Sequence, residues 1–347
     1  MSRCFPILNC DPVVAEQILK NVQSGDLFEL SLFSKRTSTL VQNATMRCKQ
    51  PSYLDVSLSS STTVNFCYGN EHIHWRFYGK RDSDGKYLED LKKLTVKMQA
   101  GTLGVVRELV FAKICNGFYG CSSNCIQDVL LFIQHISSLF NSTVQILYLY
   151  STQFSNLKAI QSVEELRTCR KVAIGEGTVS NVEMHQIIEG FESNTVHMGC
   201  NLASDFSYNR RISISDFRTI ECPWFKGPML LNLDCSQVII VNNKVSEEDV
   251  NKFLHQWMTS ITGCGGIRLM LISRGNPKRE SVYQNTDCQP NWDLEKVTQG
   301  LSGFQDPLSP RNSNLYRRTI DNKQIKISVD AGRLPYEFFL VIRNTLT

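Results

Sequence analysis

Residues 11 to 41 hold three short amphipathic stretches, each opened by a residue that can cap a helix. Such a module is too small to bury a core of its own, so a neighbouring domain or a partner must cover it. Asp11 can cap with its carboxylate, and Pro12 then falls at the first helical position, where its missing N–H and fixed φ cost nothing. Val14, Ala15, Ile18, Leu19 and Val22 recur at helical spacing, which predicts an apolar stripe with Glu16, Gln17 and Lys20 facing water. Ser24 and Gly25 read as its stop. Asp26 is expected to open a second helix through Leu27, Leu30 and Leu32, and Ser34 a third through Leu40 and Val41.

Downstream, residues 53–58, 63–68 and 72–78 alternate apolar and polar side chains between turn residues and predict a three-stranded meander. His72 and His74 share one face of the third strand, but no third ligand follows at a metal-site spacing. From about residue 124 an amphipathic helix is repeatedly followed by a short strand, with strands expected near 145, 171 and 196. Those intervals fall in the range of leucine-rich-repeat-like units. Ser180 and Glu183 form a capping box, residues 237–241 read as a further strand, and Ser246 caps a helix with Val250, Phe253, Leu254, Trp257, Met258 and Ile261 on one stripe. Residues 267–272 close that unit, and the polar stretch 274–314 reads as a long surface loop. The fold class expected is α+β: a small helical module, a β-meander and an irregular α/β solenoid.

No catalytic or cofactor motif survives inspection. Gly175-Glu176-Gly177 lies between a strand and a helix, yet Ser180 stands where a dinucleotide fingerprint needs its third glycine. Thr262-Gly263-Cys264-Gly265-Gly266 follows a helix and lacks the Lys-Ser pair of a phosphate loop. Cys115, Cys121 and Cys125 have no downstream Cys or His at zinc-finger spacing. No Gly-x-Ser-x-Gly elbow is present. With 42% apolar content over 347 residues, the chain can bury a sizeable core, as one small and one large domain. Its thirteen cysteines are scattered and odd in number, with no secretory leader, so reduced thiols are expected. No window approaches the roughly twenty apolar residues of a membrane span. A net charge of +4, with the densest basic run (Arg311 to Arg333) broken by Asp321 and Asp330, gives no nucleic-acid footprint. The expectations are a soluble intracellular protein, cytoplasmic or nuclear, that is not an enzyme and uses no metal or cofactor.

Phe5-Pro6-Ile7-Leu8 followed by Leu30-Ser31-Leu32-Phe33-Ser34-Lys35-Arg36 resembles the F-box of the proteins greatly expanded in nematodes that carry a type 2 F-box-associated domain (F-box-B-like). Cys10-Asp11 replaces the Leu-Pro pair usual in that family, with proline one residue on at Pro12. Cys222-Pro223-Trp224, Leu230 to Leu233, Val250 to Trp257 and Leu269-Met270-Leu271 are similar to the core of the associated domain. Residues 320–327 and 338–342 are similar to its terminal hairpin.

The resemblance implies a three-helix F-box at 4–46, a β-rich region at 50–123 and an F-box-associated α/β repeat-like domain at 124–347, with its signature at about 220–275 and its hairpin at 315–343. It implies the substrate-recognition subunit of a cullin-RING (SCF-type) ubiquitin ligase. The F-box would bind the ligase adaptor subunit through Leu8, Cys10, Asp11, Pro12, Ile18, Leu19, Leu27, Leu30, Leu32, Ser34 and Lys35, while the C-terminal domain holds a protein substrate. The alternative is an adaptor-independent protein-interaction module whose box is degenerate at Cys10-Asp11.

Overall fold

The computed structural model describes residues 6–47, 51–79, 93–100, 105–114, 117–122, 125–202, 206–219, 222–241, 244–259, 268–274, 313–317, 324–331 and 337–344. These residues form a mixed α/β protein with nine α-helices among them and extensive sheet, with no closed barrel. The chain divides into two compact units, Met1–Ala173 with Glu189–Ser193, and Ile174–Ile188 with Asn194–Thr347.

The first unit opens with α1 (Pro12–Leu19), α2 (Ser24–Ser31) and α3 (Lys35–Arg47). The meander follows as β1 (Ser52–Leu58), β2 (Thr62–Tyr68) and β3 (Glu71–Gly79), antiparallel throughout. β4 (Lys93–Ala100), β5 (Val105–Ile114) and β6 (Gly117–Ser122) come next, then α4 (Cys125–Phe140), β7 (Thr143–Leu149), α5 (Leu157–Gln161), α6 (Glu164–Arg167) and β8 (Lys171–Ile174). The strand order is β8-β7-β1-β2-β3-β6-β5-β4, with parallel pairs at β1–β7 and β3–β6. Alternation along the meander puts Leu54, Val56, Val64, Phe66, Trp75 and Phe77 on one face, where all are buried. Val129, Phe132, Ile133, Ile136 and Phe140 of α4 are buried as well, and the Phe132 and Phe140 rings meet those of the strands. Each such side chain contributes about 1.5–3 kcal/mol relative to exposure.

In the second unit, β10 (Thr195–Met198), β12 (Asp216–Thr219), β13 (Gln237–Val241) and β14 (Arg268–Arg274) run parallel in that order. The run continues antiparallel through β17 (Glu337–Asn344), β16 (Gln324–Ala331) and β15 (Ser313–Arg317). α7 (Asn181–Gly190), α8 (Gly227–Leu231) and α9 (Glu247–Thr259) intervene, and β9 (Thr178–Val179) and β11 (Asn201–Leu202) form a separate two-stranded ribbon. Both predicted helix starts hold. The N–H of Ser180 donates to Glu183 at 2.8 Å, and that of Ser246 to Asp249 at 3.0 Å, with both serine hydroxyls accepting in return. On α9, Val250, Phe253 and Leu254 are buried as their stripe predicts; the side chains of Trp257 and Met258, and all of Ile261, lie outside the described residues, as do 262–266 and most of 274–314.

Three local expectations are corrected. The second helix starts at Ser24, not Asp26, because Glu71 of β3 accepts the Ser24 N–H at 2.6 Å and its hydroxyl as well; α1 has already ended at Leu19. A cap supplied from 47 residues away leaves no local signature. Glu16 does not face water: it is 6% exposed, its carboxylate accepting from Arg47 of α3 at 2.7 Å. Finally, Val14 and Ile18, expected on the stripe that packs inward, are 51% and 45% exposed, while their neighbours Ala15 and Leu19 are buried.

Candidate functional site

The unburied half of the α1 stripe defines the site. α1 begins as expected, with the Asp11 carboxylate accepting the Val13 N–H at 2.8 Å and Pro12 in the first turn. Its apolar arc is wider than the three-helix module covers. Ala15 and Leu19 take the buried side and leave Val14 and Ile18 outward, with Val22 half-buried beyond them. A second stripe, Asp26 and Leu30 of α2 with Phe33 just past its end, at i, i+4 and i+7, lines the same cavity. Between the two stripes lies a cavity of about 550 Å³, floored by Leu19 and Leu30 and walled by Ile7, Ile18, Val22 and Phe33, with Cys10, Asp26 and Glu29 also in its lining. Phe33 is 74% exposed. Five of the eight exposed large hydrophobic residues among the described ones (Val13, Val14, Ile18, Phe33 and Met46) lie on this one module, and two of them, Ile18 and Phe33, line the cavity.

The module is fixed to the rest of its unit. Phe28, on the side of α2 away from the cavity, is fully buried and packs edge-on against Trp75, Phe118 and Phe132, at centroid distances of 5.3, 5.3 and 6.0 Å. α3 is tied to the end of α4 by the Thr45 hydroxyl donating to the Leu139 carbonyl at 2.8 Å and by the Gln42 amide donating to the Ser138 carbonyl at 3.1 Å. The exposed stripe is therefore held in place from behind.

The eleven residues expected at this surface separate by role. Cys10, Ile18, Leu19 and Leu30 line the cavity. Asp11 and Pro12 shape the start of α1, and Ser34 caps α3 reciprocally with Thr37, at 2.9 and 3.1 Å. Lys35 is the exposed first residue of α3, Leu32 is half-buried at the end of α2, and Leu27 belongs to the core. Leu8 sits in the 3-10 turn Pro6–Asn9, its side chain outside the described residues. Ile7, Val22, Asp26, Glu29 and Phe33 are lining residues that the expected set omitted. The i, i+4, i+7 spacing of Asp26, Leu30 and Phe33 was the available signal.

Elsewhere the chemical motifs resolve into structure. Gly177 has φ of 137° in the turn before β9, and its carbonyl accepts from the Asn201 N–H at 2.8 Å, so this glycine serves the β9–β11 ribbon. Cys67 Sγ lies 3.1 Å from His72 Nδ1, and His74 bonds Asn65, but no group of three or more metal ligands occurs among the described residues. Burial, then the Arg76 guanidinium, holds His74 below its ordinary range. Cys169 and Cys200 are pushed up to about 12 and about 11 by burial, which leaves both thiols protonated and inert at neutral pH. None of the described helices is long and apolar enough to cross a membrane.

In the second unit, residues 208–261 run from Tyr208 through β12, α8, β13 and the whole of α9, around the fully buried Phe217, Trp224, Phe225 and Leu230. No curated protein and no solved structure matches the chain. The family model described as F-box associated matches residues 208–261, and this match supports an F-box-associated domain protein.

Proposed function

We propose that this chain is the substrate-recognition subunit of an SCF-type cullin-RING ubiquitin ligase, non-catalytic itself, with α1–α3 as an F-box that seats on the adaptor subunit. The observation that carries the reading is the pairing of an F-box-associated match at 208–261 with an exposed apolar cavity on a three-helix module at the other end of the same chain. Chains with both are expected to bring a partner and a substrate together. The C-terminal domain, read as an irregular leucine-rich-repeat-like array of the nematode type 2 class, would hold a protein substrate, in the cytoplasm, the nucleus or both. The chemistry belongs to the ligase: holding a substrate lysine near a charged conjugating enzyme raises its effective concentration without any residue here touching the reacting bond. Ile18 is the residue to test. It is half exposed in the free chain, so a carboxylate there is tolerated by the fold yet places an unpaired charge in an apolar contact. Full-length chain mixed with purified adaptor and cullin is expected to elute as one complex, and Ile18→Asp to elute alone; co-elution of the variant would count against the assignment.

A further inference from the structure

We infer that Cys67 is a peroxide-reactive thiol, with His72 as the base that takes its proton. This site stands whether or not α1 and α2 dock an adaptor. Across the meander the pairing puts Tyr53 of β1 opposite Cys67 of β2, and Cys67 opposite His72 of β3, so the three form one row. Alternation sends that row to the face away from Phe66 and Trp75, where His72 is exposed and Cys67, at 6%, is just covered. Cys67 Sγ lies 3.1 Å from His72 Nδ1, the separation of a nucleophile from its base. The Tyr53 hydroxyl bonds to Cys67, and that bond, ahead of the negative charge the sulfur can carry, holds the tyrosine proton above its ordinary range. Tyr53 is therefore the donor to the sulfur, and the thiol's own proton goes to His72 in the tautomer that carries its proton on Nε2.

Other buried thiols differ in what receives the proton. Cys169, Cys222 and Cys235 donate to the backbone carbonyls of Lys171, Val241 and Ile212, at 3.5, 2.9 and 3.3 Å. A carbonyl oxygen can hold such a proton in place but cannot take it up at neutral pH, whereas a neutral imidazole can. Cys235 is 4% exposed, so access alone does not separate it from Cys67. As the Cys67 sulfur attacks one oxygen of hydrogen peroxide, an S–O bond forms and the O–O bond breaks. The thiol proton passes to His72 and from there to the departing hydroxide, leaving a sulfenic acid and water. The sulfur is oxidised by the electron pair it gives up, and the peroxide is reduced by it.

The test treats the reduced full chain with dilute hydrogen peroxide, traps sulfenic acid with dimedone and follows each cysteine-containing peptide by mass spectrometry. Cys67 should be labelled at least about tenfold faster than Cys169, Cys222 and Cys235. His72→Gln, which keeps a polar side chain but no base, should slow labelling of Cys67 about tenfold and leave that of Cys10 and Cys125 unchanged. Labelling of Cys67 no faster than that of Cys235, or an unchanged Cys67 rate in folded His72→Gln, overturns the inference. The comparison of Cys67 with Cys235 needs no variant, so a folding defect in His72→Gln leaves the inference exposed to refutation.

Discussion

Phe33→Ala tests the proposed docking surface separately from the fold. Phe33 is 74% exposed and lies just beyond the end of α2, so truncating it removes almost no buried contact and should change stability by less than about 0.5 kcal/mol. In the complex the same ring would be covered. Burying a whole phenylalanine contributes about 1.5–3 kcal/mol, and three quarters of that leaves about 1–2 kcal/mol at stake. At 1.4 kcal/mol per tenfold, the adaptor Kd should rise by roughly fivefold to thirtyfold. Titration calorimetry against the adaptor gives the affinity, and a urea melt of the same preparation gives the stability. A variant with unchanged midpoint and weakened binding is expected. Unchanged affinity would show that Phe33 lies outside the contact, and the stripe of Asp26, Leu30 and Phe33 would lose its role; a large drop in midpoint would refute the reasoning differently, by showing Phe33 to be structural.

Two further outcomes concern the scaffold. Phe28→Ala removes a ring buried against Trp75, Phe118 and Phe132 and should cost about 3–5 kcal/mol in a urea melt, and residues 1–50 alone, deprived of those three rings, should show no cooperative melt by circular dichroism; a stably folded fragment would contradict the account of the module as fixed from behind. His135 on α4 has its Nε2 buried without a hydrogen-bond partner, and burial holds its pKa below the ordinary 6.5. The unfolded chain therefore takes up that proton near pH 6.5 while the folded chain resists it, so stability falls as pH drops below 6.5. His74 shifts in the same direction, so His135→Leu should shrink, without abolishing, the loss of urea midpoint between about pH 7 and about pH 5.5, and an undiminished loss would show that His135 is not its source.

What the chain declares locally could be read, and what depends on distant partners could not. Asp11, Ser180 and Ser246 announce their helices because each cap is completed within three residues. The meander was legible because alternation over seven or more residues per strand is a strong signal. β8 and β10, four residues each, were found because a helix precedes each of them, whereas β12, equally short, follows β10 and β11 with no described helix between, and β4, β5 and β6 were visible only as a β-rich region. Asp26 looked like a cap because Glu71 of β3, the carboxylate that sets the start of α2, lies 47 residues on. The site shows the same division. The wide apolar arc of α1 was plain in the sequence, but which half stays uncovered is decided by Arg47 drawing Glu16 inward and by Phe28 anchoring α2 to the sheet. Asp26, Glu29 and Phe33 join the lining only once α2 is turned that way.

The central claim, that α1 and α2 form the adaptor-docking surface, is tested most directly by calorimetric titration of full-length chain, wild type and Ile18→Asp, with the purified adaptor subunit. One-to-one binding by wild type and none by a folded Ile18→Asp is the result predicted; a folded wild type that binds no adaptor, or a variant that binds as well, would contradict it.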